Sequence, residues 1–302
     1  METPQFKIGI PDNTCEIVQG EEQFLISCND GTKIQIRAHD YDEIYKIPGL
    51  YEHLFYKKYK CSSPGVICSE LANAVEKSNQ KMDELRVFDV GAGNGMIGEE
   101  LISAGVNTVI GIDIIEEAAM ATKRDRPGIY DEYFVEDLTK LPSEVENKIT
   151  QERLNCMTLV AALGFGDIPP EAFAKAYNFI DDSGWIAFNI KDEFCSENDQ
   201  TGFAKLIENI SENSMFEIKS KKHYTHRLCQ DGTPLNYYAI VGKKQENIPA
   251  SLLLDCWFPR RFQFPLYDKN LVLFFISMSK TMIYDIPIWS YAGATDSKVI
   301  DA

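Results

Sequence analysis

Hydrophobic and polar positions alternate every second residue in the first part of the chain. Phe6 and Ile8, then Phe24 and Ile26, then Ile34 and Ile36 follow that period, which predicts short strands with one buried face. Asn29-Asp30-Gly31-Thr32 separates the last two runs and has the composition of a tight hairpin turn. The period then changes. Between residues 40 and 60, Tyr41, Tyr45, Tyr51, Phe55, Tyr56 and Tyr59 are interleaved with Glu43, Lys57 and Lys58, which predicts one or two amphipathic helices. Beyond this, helices are predicted over 64–79, 96–103, 116–123, 143–152, 170–179 and 199–213. Strands are predicted over 87–90, 109–113, 133–135, 157–161, 185–190, 216–227 and 237–241. Strand and helix alternate and end on a hairpin, which predicts an α/β fold whose sheet is mostly parallel with one antiparallel strand. Three segments follow: a β-rich appendage over 1–39, a main domain over 40–245 and a C-terminal extension over 246–302. The extension holds Trp257, Trp289 and the apolar run Leu271 to Ile276, too hydrophobic for a disordered tail.

Chemistry is concentrated in Val87-Phe88-Asp89-Val90-Gly91-Ala92-Gly93-Asn94-Gly95. A short apolar strand carries one acid and runs into three glycines, which let the backbone turn sharply and come close to a ligand. A second strand ends at Asp113, an acid at the distance from the glycines that can accept both hydroxyls of a ribose. Together they describe a nucleoside site. Gly93 to Gly98 fits G-x-G-x-x-G, with Asp113 twenty residues past Gly93, which by itself points to NAD. Three features favour S-adenosylmethionine instead. Asp89 stands inside the first strand, where it can fix the glycine turn or hold an ammonium. Asp137 follows the next strand, where a carboxylate can accept an adenine amine. The nearest downstream basic residues, Lys123 and Arg126, are too far along to handle a pyrophosphate.

From about Tyr41 to Lys244 the chain resembles the class I S-adenosylmethionine-dependent methyltransferases. Val87 to Gly95 matches the first motif of that superfamily. The resemblance implies a Rossmann-like seven-stranded sheet with a C-terminal antiparallel hairpin, and S-adenosyl-L-methionine as cofactor. It implies cofactor contacts from Asp89, Gly91, Ala92, Gly93, Asp113, Ile114, Asp137, Leu138 and Ala161, with Tyr45, or alternatively Tyr41, covering the methionine end. Ala162 to Pro170 followed by Phe173 is similar to the methyltransferase-like proteins of the Williams–Beuren region. It departs from them at Ala162, at Gly164-Phe165-Gly166 and at Asp167.

Composition narrows the partners. The chain has 302 residues, 46 acids and 30 bases, for a net charge of -16. A nucleic-acid partner is disfavoured, because phosphate binding needs clustered bases; the basic run Lys219, Lys221, Lys222 and Arg227 reads as a solvated strand edge. Eight scattered cysteines without a C-x-x-C pair read as free thiols in a reducing compartment. His223 and His226 lie three apart on a predicted strand and face opposite sides, so no metal site is expected. Met1 to Gln5 lacks a secretory pattern and Leu271 to Ile276 is too short to span a bilayer, so a cytoplasmic protein without a membrane partner is expected. The expected acceptor is a small molecule, and the oligomeric state is open. Methyl transfer needs a base only where the nucleophile must lose a proton; the candidates are Asp167, His223 and His226, with Asn189, Lys191 and Asp192 also near the strand ends. A protein methyltransferase, a non-catalytic interaction module of the same fold and an NAD-dependent oxidoreductase are the alternatives.

Overall fold

A computed structural model describes residues 6–9, 22–29, 31–163, 168–195, 199 and 201–257. Three strands, β1 (Phe6–Gly9), β2 (Gln23–Cys28) and β3 (Lys33–Arg37), form a small antiparallel sheet. The turn between β2 and β3 is closed where the Cys28 N–H donates to Thr32 O at 2.8 Å. α1 (Tyr41–Lys46) follows, then a π-helical segment over Glu52–Lys58.

The main domain then alternates helix and strand. Its elements are α2 (Ser63–Lys77), β4 (Arg86–Val90), α3 (Met96–Ser103), β5 (Thr108–Asp113), α4 (Glu116–Asp125), β6 (Glu132–Val135), α5 (Ser143–Gln151), β7 (Cys156–Leu159), α6 (Pro170–Asn178), β8 (Trp185–Lys191), α7 (Phe203–Glu212), β9 (Phe216–Leu228), β10 (Pro234–Lys244) and α8 (Ala250–Trp257). The seven strands lie in the order β6-β5-β4-β7-β8-β10-β9. β6, β5, β4, β7 and β8 pair in parallel, and β10 is antiparallel to both β8 and β9. This is the expected Rossmann-like sheet with its closing hairpin. The order reverses between β4 and β7, which opens a crevice at their carboxyl ends.

Side chains divide by strand parity, because successive residues point to opposite faces. Phe88, Val90, Ile110, Ile112, Met157, Leu159, Ile186, Phe188 and Ile190 enter one core with α5, α6 and α7. Val87, Val109, Cys156, Trp185 and Ala187 enter the other with α2 and α3. Parity therefore places Asp89 in the second layer, opposite Gly111 on β5 and Thr158 on β7. Ile248 is buried in the first core, and Leu252 and Leu253 pack on it. Residues through Trp257 belong to the same compact unit.

The small sheet shares its core with the segment that follows it. Phe24, Ile26 and Ile36 pack on Ile44, Leu50, Leu54, Phe55 and Tyr59. The appendage thus holds the tyrosine-rich segment from behind. No helix among the described residues is long and apolar enough to cross a membrane.

Candidate active site at the strand-order reversal

A cavity of about 370 Å³ opens at the carboxyl ends of β4, β5, β6 and β7, within the range of roughly 300–1,000 Å³ typical of small-molecule sites. The glycine turn forms its floor. The N–H groups of Gly91 and Ala92 both donate to Ile112 O, at 2.9 and 3.0 Å. The Gly93 N–H donates to Asp113 Oδ2 at 2.8 Å, and the Gly93 carbonyl accepts from Tyr133 Oη at 2.8 Å and Thr122 Oγ1 at 2.9 Å. Every backbone polar group of Gly93 is therefore committed. Its φ is +54°, and a Cβ there would lie 2.7 Å from the Tyr45 hydroxyl. Only glycine permits both this backbone and this approach.

Asp113 ends β5. Oδ2 accepts the Gly93 N–H and Oδ1 accepts the Ile115 N–H at 3.0 Å. A carboxylate has about four acceptor positions, and the backbone N–H groups of Ile115, Gly93 and Ile114 draw on three of them, which leaves one for a ligand. Burial pushes its pKa above the usual value, against the pull of the backbone donors. Ile114 beside it is 66% exposed, a large apolar side chain at the mouth of the cavity. Asp137 N-caps a single 3-10 turn: Oδ1 accepts from Thr139 N and Oγ1 at 2.8 and 2.7 Å. The Thr139 hydroxyl leads in holding this carboxyl below its usual pKa.

The opposite wall is aromatic. Tyr41, Tyr45, Tyr51 and Tyr56 all line the cavity. The Tyr45 and Tyr51 rings lie 5.1 Å apart, and Tyr51 and Phe55 4.8 Å apart. The π-helical segment closes with the Tyr59 N–H donating to Leu54 O at 2.9 Å, an i→i+5 bond. That period brings residues five apart together. Tyr51 and Tyr56 face the cavity while Leu54 and Tyr59 face the small sheet. Burial pushes the pKa of Tyr45, Tyr51 and Tyr56 well above the usual value, so their hydroxyls stay neutral.

Nine of the ten expected cofactor contacts border this cavity: Gly91, Ala92, Gly93, Asp113, Ile114, Asp137, Leu138, Ala161 and Tyr45. The exception is Asp89. It is fully buried behind the turn, where it accepts from Tyr130 Oη at 2.6 Å and Thr158 Oγ1 at 2.9 Å. Gly111 makes this possible, because a Cβ there would meet the Tyr130 ring at 3.2 Å. Burial, outweighing the two hydroxyl donors, raises the Asp89 pKa to about 7.

The base candidates fare differently. Asp167 lies outside the described residues, as does all of 164–167. Ala162, Ile168 and Pro169 of the same run line the cavity. Neither histidine does. His223 is on the outer strand β9, half-exposed and 3.5 Å from Asp192. His226 points the other way and is buried, with Nδ1 2.5 Å from Ser63 Oγ; burial first, then Arg227, lowers its pKa to about 3. Lys191 is buried and paired with Glu193. Asn189 is buried behind Ala161, whose N–H it accepts at 2.6 Å. Among the described residues no cluster of metal-binding side chains occurs.

Arg126 departs from the sequence reading. Its guanidinium does reach the glycine turn, donating to Asn94 O at 3.1 Å from outside the cavity. Glu52 and Glu99 neutralise it there, each at 2.8 Å. Sequence spacing missed it because α4 folds back over the turn. Tyr51, Tyr56, Glu136 and Thr139 also border the cavity and were not singled out; the two tyrosines needed the π-helical period to be recognised.

No family model matches the chain, and no curated protein matches it. Solved structures do resemble it. Magnesium protoporphyrin IX methyltransferase from Synechocystis, with bound S-adenosylmethionine, is 16% identical with a TM-score of 0.43, over 60% of this chain and 79% of that one. An S-adenosylmethionine-dependent methyltransferase from Methanosarcina mazei is 16% identical with a TM-score of 0.41, over 56% and 97%. A ribosomal protein L11 methylase from Lactobacillus delbrueckii is 18% identical with a TM-score of 0.39, over 59% and 79%.

Proposed function

We propose that the chain is an S-adenosylmethionine-dependent methyltransferase acting on a small molecule. The charge pattern of the cavity carries this reading. Asp113, Glu136 and Asp137 line it, and among the described lining residues there is no lysine, arginine or histidine. A pyrophosphate carries two negative charges, and the only charged side chains it would meet among the described lining residues are carboxylates. A sulfonium with an ammonium suits the same surroundings. The tyrosine faces favour a cation as well, by roughly 0.5–2 kcal/mol for a ring in contact.

The residues fit the cofactor. Asp113, held by the backbone at the end of its strand, keeps an acceptor position for a ribose hydroxyl. Ile114 and Leu138 give apolar walls for a purine, and Asp137, whose Oδ2 also faces Lys140 at 4.0 Å, is a lining carboxylate that can accept from an exocyclic amine. When bound, the cofactor supplies an activated methyl group. The protein's part is alignment: rigid holding of donor and acceptor accounts for roughly 7–11 kcal/mol of barrier in favourable cases. The triple anchoring of Gly93 supplies that rigidity on the donor side. The neutral tyrosine hydroxyls can donate to an acceptor and orient it. The enclosing tyrosine wall supports a small acceptor over a protein side chain.

Calorimetry with S-adenosylmethionine, S-adenosylhomocysteine and NAD tests this. Binding of the first two, and not NAD, is expected. Asp113→Ala is expected to weaken binding about tenfold to a hundredfold, as for loss of hydrogen bonds to a charged acceptor. Binding of NAD alone would overturn the reading.

A further inference from the structure

The end of β7 is held by a buried polar chain that no part of the cofactor reading uses. Ala161 lines the cavity and has φ +59°. Its N–H goes to Asn189 Oδ1 at 2.6 Å. Asn189 is fully buried, and its Nδ2 donates to Ser63 Oγ at 3.0 Å and Tyr224 Oη at 2.8 Å. Ser63 Oγ in turn lies 2.6 Å from Tyr224 Oη and 2.5 Å from His226 Nδ1. Ser63 is also fully buried and His226 nearly so.

Counting protons gives this chain one direction. Asn189 spends both amide hydrogens on Ser63 and Tyr224. Tyr224 therefore gives its single hydrogen to Ser63. Ser63, accepting twice, gives its own to His226 Nδ1 at 2.5 Å; the Cys61 thiol also faces that nitrogen, at 3.8 Å. His226 must then be neutral with its proton on Nε2, which agrees with its burial and with Arg227 next to it in the chain. The Ala161 N–H fixes the orientation of the Asn189 amide on its own, because only the amide oxygen can accept it. The chain also ties two walls together, because Ser63 precedes Pro64, which lines the cavity from α2.

We propose that His226, Tyr224, Ser63 and Asn189 are positioning residues that hold the Ala161 peptide in its left-handed conformation and thereby shape the cavity floor. The consequence for the ligand rests on the cofactor reading above; the consequence for Ala161 does not. His226 acts only as the terminal acceptor.

The test uses the full chain with Tyr224→Phe, His226→Leu and His226→Asn. Asparagine can place its oxygen near the Nδ1 position and accept from Ser63, while leucine cannot. Two quantities are read: hydrogen exchange of the peptide containing the Ala161 amide, and the Kd for S-adenosylmethionine. Tyr224→Phe and His226→Leu are expected to speed exchange at least tenfold and to raise Kd about threefold to tenfold. His226→Asn is expected to restore both to within about twofold of the unaltered protein. Unchanged exchange in folded Tyr224→Phe overturns the proposal, as does a His226→Asn variant no better than His226→Leu. A lower melting temperature with unchanged exchange and Kd shows a merely structural role and also overturns it. If the unaltered protein fails to bind S-adenosylmethionine, the cofactor reading falls, and the exchange measurement alone still decides the chain.

Discussion

Asp89 offers the sharpest test of how the site is built. An unfolded aspartate titrates near 3.8, whereas Asp89 titrates near 7 in the fold. Between those values the folded state keeps a proton that the unfolded state has released. Stability from this residue is therefore greatest below about 3.8 and declines as pH rises to about 7. At about 1.4 kcal/mol per pH unit, ionising Asp89 in place costs on the order of 4 kcal/mol as an upper limit; local relaxation in a higher effective dielectric brings this nearer 2 kcal/mol. Asp89→Asn removes the ionisation and keeps the shape. The amide oxygen accepts from one of the Tyr130 and Thr158 hydroxyls, and the amide nitrogen donates to the other. A unit of this size loses roughly 2–4 °C of melting temperature per kcal/mol. The variant is expected to melt about 4–8 °C above the unaltered protein at pH 8 and about 1.5–3 °C above it at pH 5, where roughly a third of the decline has already occurred. Scanning calorimetry at pH 5, 6, 7 and 8 at constant ionic strength measures this, and titrations elsewhere cancel in the difference. Parallel melting curves across that range, or a variant that is less stable at pH 8, refute the reasoning.

Three further substitutions probe the turn and the tyrosines around it. Gly93→Ala combines an L residue at φ +54° with a Cβ 2.7 Å from the Tyr45 hydroxyl; the backbone alone costs about 1–2 kcal/mol, so the Kd for S-adenosylmethionine should rise at least about tenfold by calorimetry. Adding Tyr45→Phe should recover part of that loss, because it removes the clashing oxygen but leaves the backbone strained, and full recovery would contradict this assignment. Gly111→Ala places a Cβ 3.0–3.2 Å from Tyr133, Ala92 and Tyr130; overpacking of this kind costs about 1–3 kcal/mol, and a thermal melt unchanged within a degree would show that Tyr130 is not wedged there.

Much of the fold was legible along the chain. The strand boundaries read from apolar runs differ from the observed ones by a few residues, with the largest gap at β10, which begins at Pro234 rather than at 237. The small sheet was visible in its period of two, but its role was not. Its position behind the tyrosine segment is a contact between distant elements, which periodicity cannot report. The tyrosines themselves were visible as a cluster; which of them share a face depended on a π-helical period in place of an α-helical one.

The sequence by itself determined the glycine-turn side of the cavity. The glycine turn, Asp113, Ile114, Asp137 and Leu138 follow strand ends, and in a parallel sheet strand ends meet at one crevice, so local spacing is enough to bring them together. Tertiary structure decided the rest. Strand parity turned Asp89 away from the cavity onto Tyr130 and Thr158, and the pleat of β9 set His223 at the surface and His226 in the interior. Those outcomes depend on which face a neighbouring element covers, a property of the packed layers that no single segment carries.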